Sequence, residues 1–90
     1  MNNILSKKDT KDLLDILVEQ LGVDLTQLTS DARIQEDLGA DSLTLIEIVL
    51  AVEERFDLSV PDEEAEKVST VEDLFETIAR LQEPANQRPG

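Results

Sequence analysis

From Leu43 to Phe56 the chain runs without glycine or proline, and Gly39-Ala40-Asp41-Ser42 stands directly ahead of that run. An apolar stretch of this length with no breaker predicts a helix, and Asp41 is well suited to cap it. Ser42 then takes the first helical position, its hydroxyl beside unpaired backbone N–H groups at the positive end of the helix dipole. A helix N-terminus is a ready seat for an anion. Ser42 is therefore a candidate anchor for a phosphate-linked group. The same two residues serve equally well as a plain capping pair, and Asp-Ser alone does not decide between these readings.

At 100° per residue, Leu45, Ile48, Val49, Val52 and Phe56 fall within one narrow arc, which predicts the core face of this helix. Leu43, Ile46 and Leu50 form a second arc about a third of a turn away, bordered by Glu47, Glu53 and Glu54. A surface helix needs only the first arc. The second is explained either by a central helix packed on two neighbours or by a docking surface. In the latter, apolar contacts give affinity and carboxylates give steering and register.

The rest of the chain supplies the neighbours. Ser6 or Asp9 is a candidate cap for a first helix, in which Leu13, Leu14, Ile16, Leu17, Val18 and Leu21 contain a helical stripe and Gly22 marks the end. Val23 to Ala40 shows no sustained period, and a connection of that length is either functional or packed by its own side chains. Val23, Leu25, Leu28, Ile34 and Leu38 are spaced for such packing, and Gly39 gives freedom to turn into Asp41-Ser42. Pro61 suits the first turn of a short helix, with Asp62, Glu63 and Glu64 at its positive end and Lys67 at its negative end. Ser69 and Thr70 offer overlapping caps for a last helix, with Glu72 completing a capping box on Ser69. That helix carries Val71, Leu74, Phe75, Ile78 and Leu81. No strand alternation and no internal repeat is seen. The expectation is an all-α fold, a small four-helix bundle of three longer helices and one short one, with a long loop between the first two. Residues 1–8 are expected to be a flexible N-terminus, 9–82 the helical bundle, and 83–90 a disordered tail.

Composition removes most chemistries. Ninety residues suit one domain, and with two phenylalanines as the whole aromatic content the core must be built of Leu, Ile and Val. Eight Lys and Arg against 21 Asp and Glu leave a net charge of −13, which disfavours nucleic acid and anionic membranes as partners. Partners with basic patches are expected instead, steered by charge. The chain has no Cys and no His, hence no disulfide, no thiolate nucleophile, no zinc site of ordinary type and no imidazole base. A serine nucleophile is not supported, because G-x-S-x-G needs a second glycine where Leu43-Thr44 follows. No stretch has the ligand pattern of an EF-hand. No apolar run reaches the ~20 residues of a membrane span, the start lacks a signal-peptide h-region, and a cytoplasmic location is expected.

One resemblance gathers these features. Glu36-Asp37-Leu38-Gly39-Ala40-Asp41-Ser42-Leu43, then Val52-Glu53-Glu54-Arg55-Phe56, then Val60-Pro61-Asp62-Glu63-Glu64-Ala65-Glu66-Lys67 resemble the bacterial acyl carrier proteins over nearly the whole domain. The resemblance implies that Ser42 receives 4′-phosphopantetheine from coenzyme A through a phosphopantetheinyl transferase. The arm then supplies the thiol the chain lacks, and acyl groups ride on it as thioesters, the chain itself being no enzyme. It implies that Asp41, Glu47, Glu53 and Glu54, with Leu43 and Ile46 and the neighbouring Leu50, meet basic patches on acyl transferases, ketoacyl synthases, reductases and dehydratases. It also implies a monomer that shelters its acyl chain between helices. Thr44 stands where fatty-acid carriers usually have an acid, and Arg33 and Gln35 occupy a loop stretch that is often small or apolar. The expected role is thus a carrier in fatty-acid-type biosynthesis. The alternatives are a dedicated carrier for a polyketide, aminoacyl or lipid-modification pathway, and an acidic interaction module with no prosthetic group.

Between Asp41 and Lys67 nine acids face two bases. Millimolar Mg²⁺ or Ca²⁺ is therefore expected to raise the thermal midpoint by relieving self-repulsion, without any dedicated site. An unchanged melting curve on titration would contradict this.

Overall fold

The computed structural model describes residues 5–82. Four helices follow one another: α1 Lys7–Leu21, α2 Ser42–Phe56, α3 Asp62–Lys67 and α4 Val71–Leu81, with a short 3₁₀ turn at Leu25–Gln27. Among the described residues there is no strand, only an isolated bridge between Arg33 and Thr70. The fold is all-α, a small bundle with a long connection between α1 and α2.

Local chemistry sets the ends of these helices. Ser6 caps α1 by accepting from the Asp9 N–H, and Gly22 ends it in the left-handed region at φ 68°, where a glycine costs nothing sterically. The helix thus begins at Lys7, and Leu5 is buried. The remaining expectations for residues 1–4 and 83–90 lie outside the described residues. α2 ends on Asp57, a non-glycine residue at φ 54°. Pro61 sits one position earlier than expected, as the N-cap of α3. α4 starts on Thr70, whose hydroxyl accepts from the Asp73 N–H while the Asp73 carboxylate accepts from the Thr70 N–H. The capping box is thus Thr70 with Asp73, one residue beyond the expected Ser69 with Glu72.

The core is aliphatic, as two phenylalanines require. Leu13, Ile16 and Leu17 of α1, Ile48 and Val52 of α2, and Val71, Leu74 and Ile78 of α4 are buried. Of the expected α2 core face, Leu45, Val49 and Phe56 are only half-buried. The α1–α2 loop adds Ala32, Ile34, Leu38 and Ala40 to the core, with Val23 and Leu28 packed against it. Leu25 does not join them. It is 58% exposed and lines a surface groove with Leu5 and Leu14.

Polar ties between helices are few. Arg55 of α2 pairs with Asp12 of α1 at 3.2 Å, and Arg80 of α4 pairs with Glu64 of α3 at 2.8 Å. The Gln82 amide donates to Asp9 of α1 at 3.1 Å. Among the described residues no helix is long and apolar enough to cross a membrane.

Val52→Ala is expected to cost about 1–3 kcal/mol in denaturant unfolding, since it empties a fully buried position in a close-packed core. Leu45→Ala removes more atoms from a half-buried position, so it should cost less per methylene lost. A neutral Val52→Ala would contradict this placement of the core.

Candidate functional site

The site is built from the loop upward. Ile34 donates its N–H to Ser69 O at 2.9 Å, and Val71 and Glu72 donate theirs to Ala32 O and Ser30 O at 3.0 Å each. These bonds fasten the loop to the start of α4. Within the loop, Asp37 and Leu38 N–H groups converge on Arg33 O, and the Asp37 carboxylate accepts from the Arg33 N–H at 2.9 Å. Gly39 then turns at φ 78°, a conformation glycine reaches without strain. Ala40 donates to Ile34 O at 3.1 Å and is buried. The chain is thus held on both sides of the turn before it enters α2.

Asp41 caps α2. Its carboxylate accepts from the Thr44 N–H at 2.9 Å, and its carbonyl accepts from the Leu45 N–H at 3.0 Å. The hydrogen bond from Thr44 lowers the pKa of this carboxyl below its ordinary 3.8. Ser42 follows as the first residue of the helix and is exposed. Its hydroxyl makes no side-chain hydrogen bond to any described residue, so it stands in solvent over the positive end of α2. The arrangement displays a hydroxyl but does not activate it. A nucleophilic serine needs an adjacent base, and the carboxylate of the neighbouring Asp41 is engaged as a cap with a lowered pKa.

Two surfaces meet at Ser42. One is a ridge down α2: Leu43, Ile46 and Leu50 are 63%, 55% and 57% exposed. Of the two arrangements open for that second arc, α2 adopts the one in which it faces solvent. Glu47 and Glu54 are exposed beside the ridge, and neither forms an ion pair among the described residues. Glu53 is placed differently. It is half-buried, and its carboxylate accepts from the Val60 N–H at 2.8 Å, tying the α2–α3 connection to α2.

The other surface is a groove of about 520 Å³ between α2 and α3, which Ser42 lines at one end together with Gln35. Its walls are the apolar Leu45, Ile46, Val49, Leu50, Val60 and Ala65, with Asp62 and Glu66 on the rim. Four of these residues, Leu45, Val49, Val60 and Ala65, also line a small apolar space of only about 10 Å³ deeper in the bundle, against Ile48, Val52, Leu74 and Ile78. This explains why Leu45 and Val49 are only half-buried: they form the floor of the groove. The sequence pointed to Ser42 and the ridge, but not to Val60, Asp62, Ala65 and Glu66 as a facing wall. Among the described residues no cluster of His, Cys, Asp or Glu is arranged to hold a metal ion.

Comparison with known proteins matches residues 11–78 to a family model described as the phosphopantetheine attachment site. The acyl carrier protein of Syntrophobacter fumaroxidans is 48% identical over 68 residues, covering 76% of this chain and 84% of that one. That of Bdellovibrio bacteriovorus is 57% identical over 60 residues, covering 67% and 77% respectively. Among solved structures, the acetyl actinorhodin acyl carrier protein of Streptomyces coelicolor superposes with a TM-score of 0.65 at 36% identity, over 89% of this chain and 93% of that one.

The Asp41 cap has a testable pH signature. With its folded-state pKa lowered, Asp41 adds stability that is complete above the ordinary aspartate value and is lost as the pH falls through the lowered one. Asp41→Asn keeps a capping side chain but removes the titration. Denaturant midpoints measured from about pH 7 down to about pH 2 should show the gap between parent and variant narrowing with acid. A gap constant across that range would contradict the assignment.

Proposed function

The chain belongs to the acyl carrier proteins of the phosphopantetheine-attachment family, and we propose that Ser42 is the residue on which it carries the 4′-phosphopantetheine arm. The observation that supports this most is the free, exposed Ser42 hydroxyl at the first position of α2, where an apolar groove begins. A phosphodiester at that position would lie against unpaired N–H groups and the positive end of the helix dipole, with no buried group to displace. The bound arm supplies a thiol, which a chain without cysteine cannot, and holds acyl groups on it as thioesters.

The chain's own residues do the rest. Asp41 fixes the turn so that the attachment point does not drift. Leu43, Ile46 and Leu50 offer apolar contact beside the arm, and Glu47 and Glu54 steer basic partner surfaces toward it. Those partners are a phosphopantetheinyl transferase, acyl transferases, ketoacyl synthases, reductases and dehydratases. The groove floor of Leu45, Val49, Val60 and Ala65 shelters the acyl chain. Without a base near Ser42, the protein shuttles intermediates in the cytoplasm as a monomer and leaves catalysis to its partners.

Fatty-acid-type biosynthesis is the pathway we favour. Thr44 and Gln35 favour a second reading, a dedicated carrier, because the first withdraws a charge from beside the arm and the second puts an amide at the groove mouth. The acyl species found on the protein separates the two.

Incubation with coenzyme A and a promiscuous phosphopantetheinyl transferase should raise the intact mass by one arm, and Ser42→Ala should abolish the gain. A gain that survives in Ser42→Ala, or none in the parent, would contradict the proposal. Glu47→Lys with Glu54→Lys should slow loading by partner enzymes at low salt while leaving the unfolding midpoint nearly unchanged, because exposed charges contribute little stability. Equal loading rates would remove the steering role.

A further inference from the structure

α3 is the weak wall of the groove. It is six residues long and contributes no buried residue, whereas the facing wall, α2, is anchored by the buried Ile48 and Val52, and α4 behind it by the buried Leu74 and Ile78. Two polar ties compensate. At the head of α3, Glu53 of α2 accepts from the Val60 N–H at 2.8 Å. Midway along it, Glu64 is paired with Arg80 of α4 at 2.8 Å, with side-chain exposures of 21% and 40%. The guanidinium also holds the Glu64 carboxyl below its ordinary pKa.

The deeper apolar space holds only about 10 Å³, room for one water molecule at most, while the groove outside it holds about 520 Å³. A chain lying in the groove reaches the interior only if one wall moves. The wall with the least buried surface moves first, because local opening follows the fewest buried contacts.

We propose that the Glu64–Arg80 ion pair is a latch on α3 that sets how readily the groove opens into the core, and so how deeply an apolar acyl chain is taken in. The inference rests on the reading that the groove shelters the cargo. Loosening the latch lowers the cost of opening and favours deeper burial of the chain.

Amide hydrogen exchange followed by NMR tests this on the full chain. The reporters are the Glu64, Ala65 and Val68 N–H groups, which are bonded within and at the ends of α3, against Gly22 and Leu45 at α1 and α2. In Arg80→Gln, Glu64→Gln and the double variant, the α3 amides should exchange about two- to fivefold faster, the double no faster than Arg80→Gln alone, with α1 and α2 unchanged. Equal acceleration throughout the bundle, or none in α3, would overturn the latch. The same chains carrying an octanoyl thioester on the arm give the second readout, the rate of thioester cleavage by hydroxylamine. Cleavage should be slower in the variants than in the parent, and equal rates in a parent that does protect its thioester would overturn the link to cargo depth. If octanoyl and acetyl thioesters are cleaved alike in the parent, the sheltering reading fails instead, while the exchange data still decide the latch.

Discussion

Three main-chain hydrogen bonds between the α1–α2 loop and the start of α4 hold the rest of this structure in register. Ile34 to Ser69, Val71 to Ala32 and Glu72 to Ser30 fix a long segment that has no period of its own. Buried backbone groups must be paired; the bond to Ser69 satisfies the Ile34 N–H, and bonds within the loop to Thr29, Arg33 and Ile34 satisfy those of Ala32, Leu38 and Ala40, so all four enter the core without orphaned N–H groups. The position of Ser42 follows from it. The loop is pinned at Ile34, Ile34 O accepts from Ala40 just past the Gly39 turn, and the next residue, Asp41, caps α2 with Ser42 exposed. The serine is displayed on a frame made by elements far from it in sequence.

Charge is divided between two tasks in a chain with very few bases. One set of acids is structural: Asp9 and Asp12 tie α1 to its neighbours, Glu53 and Glu64 tie α3, Asp73 caps α4 and Asp41 caps α2. Glu47 and Glu54 are exposed and hold nothing in place. The distinction is energetic. Removing a structural acid unmakes a helix cap or a tie between helices, and so costs stability. Changing Glu47 or Glu54 alters the field that an approaching protein meets and little else.

The sequence was most readable where the physics is local. Capping is a matter of three residues, so the starts of α1 and α2 and the end of α1 at Gly22 could be placed closely. Ser42 stood out for the same reason. Legibility fell where partners come from elsewhere in the chain. Ser69 and Thr70 are equivalent caps in isolation, but Ser69 O is engaged by Ile34, and the helix starts one residue later. Glu53 looked like another surface carboxylate because its hydrogen bond reaches across the α2–α3 turn to Val60. Leu45 and Val49 looked like core because angular position cannot tell a groove floor from an interior. Leu25 carried an apolar signal in a packed loop, yet it lies over a surface groove with Leu5 and Leu14.

The central claim is that a single displayed hydroxyl, Ser42, carries a phosphate-linked arm in a protein without cysteine or histidine. The most direct measurement is the intact and fragment mass of the chain drawn from its native host, with any thioester preserved. The account predicts one 4′-phosphopantetheine, with or without an acyl group, on the fragment that contains Ser42. A chain at its bare sequence mass, or an arm on any other residue, would contradict it.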